Sequence, residues 1–99
     1  MSSATATLND SQLQQALAGL PEWALEDGKL VRYWTFPGFT QAMEFVNGVA
    51  QLAEREGHHP DIDIRYNRVK LALVSHDAGG ITQRDADMAG RLSKAVAGP

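Results

Sequence analysis

Acid–base chemistry near neutral pH rests in this chain on three histidines, all of them between residues 58 and 76. His58 and His59 stand side by side ahead of Pro60, and His76 follows further along. Two carboxylates bracket the group, Glu54 before it and Asp85 after it. An imidazole titrates near pH ~6.5, so it can give or take a proton at neutral pH. Three of them beside carboxylates suit a reaction needing one general acid and one general base. There is no cysteine, which excludes disulfides, thiolate nucleophiles and Cys-based zinc or iron–sulfur sites.

Such a set works only if a scaffold holds it. The chain has 99 residues, enough for one small domain by the usual prior of roughly 100 to 200 residues per domain. Nine Lys and Arg against twelve Asp and Glu give a formal charge of −3, which argues against a nucleic-acid binder. Residues 1–8 are rich in small and hydroxyl side chains, with neither the basic start nor the apolar stretch of a signal peptide, and are expected to form a flexible tail. Residues 9–99 are expected to form the single domain. No window approaches the ~18 apolar residues of a membrane-spanning helix. The expected protein is soluble and cytoplasmic, with no membrane partner and no nucleic acid.

Periodicity divides the rest into seven elements. Asp10 can cap a helix to about Ala18, with Leu13, Ala16, Leu17 and Leu20 at helical spacing and Gly19 and Pro21 ending it. Trp23–Glu26 and Lys29–Phe36 flank Asp27-Gly28, the strongest two-residue hairpin signal. Thr40 can cap a long helix to Glu56, its stripe formed by Ala42, Phe45, Val46, Val49, Leu52 and Ala53, with Gly57 as a left-handed stop. Ile62, Ile64 and Tyr66 alternate with Asp61, Asp63 and Arg65, the pattern of a half-buried strand. A turn at Asn67-Arg68 leads to a strand over Val69–His76, apolar on both faces, Leu71 and Leu73 against Ala72 and Val74. Such a strand is expected to be covered on both sides, the second time by another copy of the chain. Thr82 and Asp85 make a capping-box pattern for a last helix carrying Ala86, Ala89, Leu92 and Val96. The order is α-β-β-α-β-β-α. The fold class is α+β, a four-stranded antiparallel sheet with helices packed on one face.

This layout puts the histidines and Asp85 at element ends, where side chains converge while the backbone is held. Pro60 stiffens the loop by keeping His59 extended. Glu54, four residues before His58, can reach it if the last helical turn continues that far. Asp85 shares the stripe of Ala89 and Leu92 and is expected to point inward. Each residue also has a duller reading. His58 and His59 suit a polar connector, Asp85 a helix cap, Glu54 a solvated helix position and His76 a strand end. Tyr66 suits the core, and Asp61 and Asp63 a solvated strand face.

The joint pattern of Glu54, His58-His59-Pro60, Tyr66, His76 and Asp85 closely resembles the signature of the pterin-4a-carbinolamine dehydratases. The resemblance covers most of the chain. It extends to the short first helix, Trp23 before the hairpin, the long helix before His-His-Pro, the Tyr66–Val69 turn and the final helix opened by an aspartate. Gly79-Gly80-Ile81-Thr82 looks like the bacterial branch. Ile62-Asp63 departs from animal members, which carry aromatic residues there.

The resemblance implies dehydration of 4a-hydroxytetrahydropterin, the pterin left by an aromatic amino-acid hydroxylase, to quinonoid dihydropterin and water. By analogy His58 and His76 flank the pterin and protonate the departing hydroxyl, and His59 takes the proton from nitrogen 5. Asp85 orients or charge-stabilises a histidine, and Glu54 biases a tautomer or hydrogen-bonds within the site. The implied partners are a small-molecule pterin, a hydroxylase and further copies of the chain in a dimer or tetramer. No cofactor and no metal are implied. Two alternatives stand beside this reading. One is a non-catalytic binding or assembly module on the same fold. The other is a metal hydrolase, which lacks a paired ligand spacing such as His-Glu-x-x-His.

Overall fold

The computed structural model describes residues 6–95. The elements are α1 (Asp10–Ala18), β1 (Ala24–Glu26), β2 (Lys29–Thr35), α2 (Phe39–Glu56), β3 (Asp61–Arg65), β4 (Arg68–Leu73) and α3 (Gln83–Ala95), an α+β fold in the expected order. All strand pairs are antiparallel, and the sheet order is β1-β2-β4-β3. Asp27 (φ 51°) and Gly28 (φ 74°) are both left-handed, the requirement of a tight hairpin turn whose twist matches its strands.

The core lies between one face of the sheet and the helices. Leu30 and Trp34 of β2 and Val69, Leu71 and Leu73 of β4 meet Ala42, Phe45, Val49 and Leu52 of α2 and Met88, Ala89 and Leu92 of α3, all buried. Trp34 packs edge-on to Trp23 at 5.9 Å and against Phe45 at 4.7 Å. Arg32, on the same face, lays its guanidinium over the Trp34 ring at 4.3 Å and donates to Ser93 Oγ, a cationic group accommodated by stacking. Among the described residues no helix is long and apolar enough to cross a membrane.

Several local expectations change. The cap of α1 is Asn9, not Asp10: Asn9 Oδ1 accepts from Gln12 N, and Gln12 Oε1 accepts from Asn9 N, a reciprocal capping box. Gly38 begins α2 without a side-chain cap, and Thr40 sits one residue inside it. The β3–β4 turn falls on Tyr66-Asn67, one residue early, with Tyr66 left-handed (φ 54°) and exposed rather than in the core. Asn67 fixes that register by exchanging hydrogen bonds with the Phe36 backbone. β3 is exposed throughout instead of half-buried, because the helices cover β2 and β4 and leave β3 beyond them at the sheet edge.

Strand β4 ends at Leu73, short of His76. On the face away from the helices, the paired Val31 and Ala72 are buried within the single chain, beside the Lys29–Asp61 ion pair. Part of the cover assigned to a second copy is therefore supplied by the chain's own side chains. Of the expected tail, Thr7 bridges to Thr82 and Leu8 N donates to Ile81 O, tying both to the approach of α3. Residues 1–5, and Val96 of the last stripe, lie outside the described residues.

Candidate active site

The site begins where α2 stops. Gly57 adopts φ 69°, a left-handed conformation that costs an L-residue energy, and the N–H groups of Gly57 and His58 both donate to Ala53 O. The chain then passes without regular secondary structure through His58 and His59 into buried Pro60, and a residue before proline is biased toward extended backbone. Neighbouring residues of an extended segment point opposite ways. His58 turns inward, its side chain 15% exposed, with Nε2 2.6 Å from Asp85 Oδ1. His59 turns outward, with Nε2 2.6 Å from Glu54 Oε2. The expected Glu54–His58 pairing is thus replaced by Glu54–His59, because Gly57 ends the helix before its last turn can carry His58 over Glu54.

Asp85 stands in the first turn of α3 and is fully buried. Its Oδ2 accepts from Thr82 N and from Ser75 Oγ, each at 2.9 Å. Ser75 Oγ lies 2.8 Å from Thr82 Oγ1, which accepts from Arg84 N. A buried carboxylate thus has hydrogen-bond partners on both oxygens, as a buried charge requires. Asp85 is both the helix cap and the anchor of an imidazole.

His76 occupies the exposed turn closed by the Ser75–Gly80 bridge. Backbone bonds from Ala78 N and Gly79 N to Ser75 O hold that turn. Among the described residues the His76 imidazole takes no part in the Asp85 network, but it is the residue next to Ser75. Asp77, in the same turn, accepts from Arg84 Nη2 at 2.7 Å, and this bond holds its carboxyl below the usual carboxylate range.

His58, Arg84, Met88 and Arg91 line a cleft of about 140 Å³ between the end of α2 and α3. Arg91 donates to Glu56 across its rim. A larger hollow, about 430 Å³, opens on the far side of the sheet against Tyr33, Arg65, Arg68 and Lys70. No histidine borders that hollow, whereas His58 lines the smaller cleft. Among the described residues no three His, Asp or Glu side chains are grouped to hold a metal ion. Sequence reasoning missed Ser75 and Arg84 and saw Thr82 only as a cap. The available signal was two hydroxyl residues flanking a Gly-Gly turn just before an aspartate.

The α+β domain thus carries a buried His–Asp pair, a second, exposed His–Glu pair and a third histidine on the adjoining turn, side chains of a type that can exchange protons near neutral pH. The chain belongs to the pterin 4 alpha carbinolamine dehydratase family, whose model matches residues 6–95. A relative from Acidobacterium capsulatum that carries this family's name is 53% identical over 87 residues, covering 88% of this chain and 95% of its own length. Another, from Koribacter versatilis, is 53% identical over 88 residues, covering 89% and 94%. The crystal structure of a transcriptional coactivator/pterin dehydratase from Brucella melitensis superposes with a TM-score of 0.83 at 33% identity, covering 91% of this chain and 98% of that one. A pterin dehydratase-like RuBisCO assembly factor of the alpha-carboxysome shares the fold alone, with a TM-score of 0.60 at 20% identity, covering 78% and 89%.

Proposed function

We propose that the chain dehydrates 4a-hydroxytetrahydropterin to quinonoid dihydropterin and water, returning the pterin used by an aromatic amino-acid hydroxylase in the cytoplasm. The observation that carries this reading is the buried His58–Asp85 pair at the cleft, within a family match spanning residues 6–95. The reaction breaks the bond from carbon 4a to its hydroxyl and forms a carbon 4a–nitrogen 5 double bond. The leaving hydroxide takes a proton from an imidazolium and departs as water, while the proton on nitrogen 5 passes to a neutral imidazole. No electron leaves the substrate, so an acid and a base suffice.

His58 and His76 serve as the acids and His59 as the base. Arg84 and Arg91 border the cleft and offer donors to the polar edge of a flat heterocycle. A cleft of about 140 Å³ is smaller than the roughly 300 Å³ at which drug-sized sites begin. It suits a compact ring whose side chain extends into solvent. Enzymatically generated 4a-hydroxytetrahydropterin, followed by ultraviolet absorbance, should dehydrate faster with the protein than without it. Equal rates would remove the reading.

A further inference from the structure

The hydrogen bonds around Asp85 have only one self-consistent direction. Two donors are fixed by chemistry, because a backbone N–H cannot accept: Thr82 N donates to Asp85 Oδ2, and Arg84 N donates to Thr82 Oγ1. Ser75 Oγ lies within hydrogen-bond distance of both Asp85 Oδ2 and Thr82 Oγ1 and has a single proton. A carboxylate oxygen can only accept, so that proton goes to Asp85. The Thr82 hydroxyl must then give its own proton to Ser75. Every donor in the chain is used, and all of them lead to one buried carboxylate. Ser75, Thr82 and Asp85 are each 1% exposed or less, so water does not substitute for these partners.

With Oδ2 occupied by two donors, Asp85 is held with Oδ1 toward His58 Nε2. That oxygen also accepts, so Nε2 carries a proton. In a neutral imidazole the other nitrogen is then bare. We infer that Ser75 and Thr82 are positioning residues that lock the rotation of the Asp85 carboxylate, so that His58 is held as the Nε2–H tautomer and exchanges protons with substrate through Nδ1. Ser75 has a second duty. Its backbone exchanges hydrogen bonds with Gly80 (3.0 and 3.3 Å), closing the turn that carries His76. One residue therefore sets the carboxylate behind His58 and the base of the loop that bears His76.

The role of Nδ1 in catalysis rests on the dehydratase reading; the tautomer and its control by Ser75 do not. Two measurements separate them. In the 15N-labelled wild-type protein at a pH where histidines are neutral, long-range 15N–1H correlation should show His58 protonated at Nε2. Ser75→Ala should give a mixture of tautomers, and Ser75→Thr, which retains the hydroxyl, should restore the single form. In the dehydratase assay Ser75→Ala should lower kcat about tenfold with KM little changed, with recovery in Ser75→Thr.

A wild-type His58 protonated at Nδ1 would overturn the inference without any variant. So would a folded Ser75→Ala protein with an unchanged tautomer and unchanged kcat. The expected tautomers in a protein that accelerates no dehydration would leave the positioning role standing and remove the dehydratase reading. Full activity with the wrong tautomer would do the reverse.

Discussion

His58 and Asp85 stand 27 residues apart in the chain and 2.6 Å apart in space. One follows the end of α2 and the other opens α3, so their contact joins the two helices that cover the sheet. A buried ion-pairing contact of this kind adds little net stability when intact and costs much when one partner is removed. It serves to hold an imidazole in one orientation beside the cleft.

His58→Ala leaves the Asp85 carboxylate buried with an empty side. It should lower stability by roughly 3 kcal/mol in denaturant unfolding. His59→Ala removes a pair that is more than half exposed on both sides and should stay within about 0.5 kcal/mol of wild type. Similar losses in the two variants would contradict the burial difference.

Asp85→Asn keeps shape but replaces one acceptor by a donor. If the amide faces Ser75 and Thr82, two donors meet a third; if it is flipped, the amide faces His58 and forces the other tautomer. We expect a loss of about 1 to 3 kcal/mol in unfolding and a fall in dehydration rate of about two to four powers of ten. Wild-type stability and rate together would show the carboxylate to be dispensable.

Gly57→Ala tests the stop of α2. An added Cβ meets nothing within 4 Å, so the cost is conformational alone. It should be about 1 to 2 kcal/mol for an L-residue at φ 69°. Because Gly57 sets where His58 and His59 leave the helix, the dehydration rate should fall as well. An unchanged melting temperature would contradict the left-handed assignment.

Asp77 is held below the usual carboxylate range chiefly by the hydrogen bond from Arg84. Its depressed titration favours the folded state above the ordinary value of 3.8, and that contribution fades as pH falls through the folded value. Arg84→Ala should move the Asp77 midpoint back up toward 3.8, read by carboxyl carbon shifts. An unmoved midpoint would mean that the pair does not form in solution.

Much of this architecture was legible in the residues. Asp27-Gly28 specifies a turn through two positive φ angles, Gly57 specifies a stop, and the stripe from Ala42 to Ala53 specifies the buried face of α2. The inward aim of Asp85 followed from its place on the stripe of α3. Other features depend on relationships that periodicity does not carry. Ile62 and Ile64 alternate like a half-buried strand, yet their burial depends on which strand lies at the sheet edge. The partner of Glu54 depends on which of two adjacent histidines turns outward once the helix has stopped. Ser75 read as one more residue of a strand, whereas its role comes from the bridge to Gly80 that ends the strand and presents its hydroxyl to Asp85.

The most direct measurement is the dehydration rate of 4a-hydroxytetrahydropterin with the wild-type protein and with folded His58→Ala, His59→Ala and His76→Ala variants, side by side. General acid–base catalysis by this site predicts acceleration over the spontaneous reaction and a loss of about two to four powers of ten in each variant. No acceleration by the wild type, or wild-type rates in the folded variants, would contradict it.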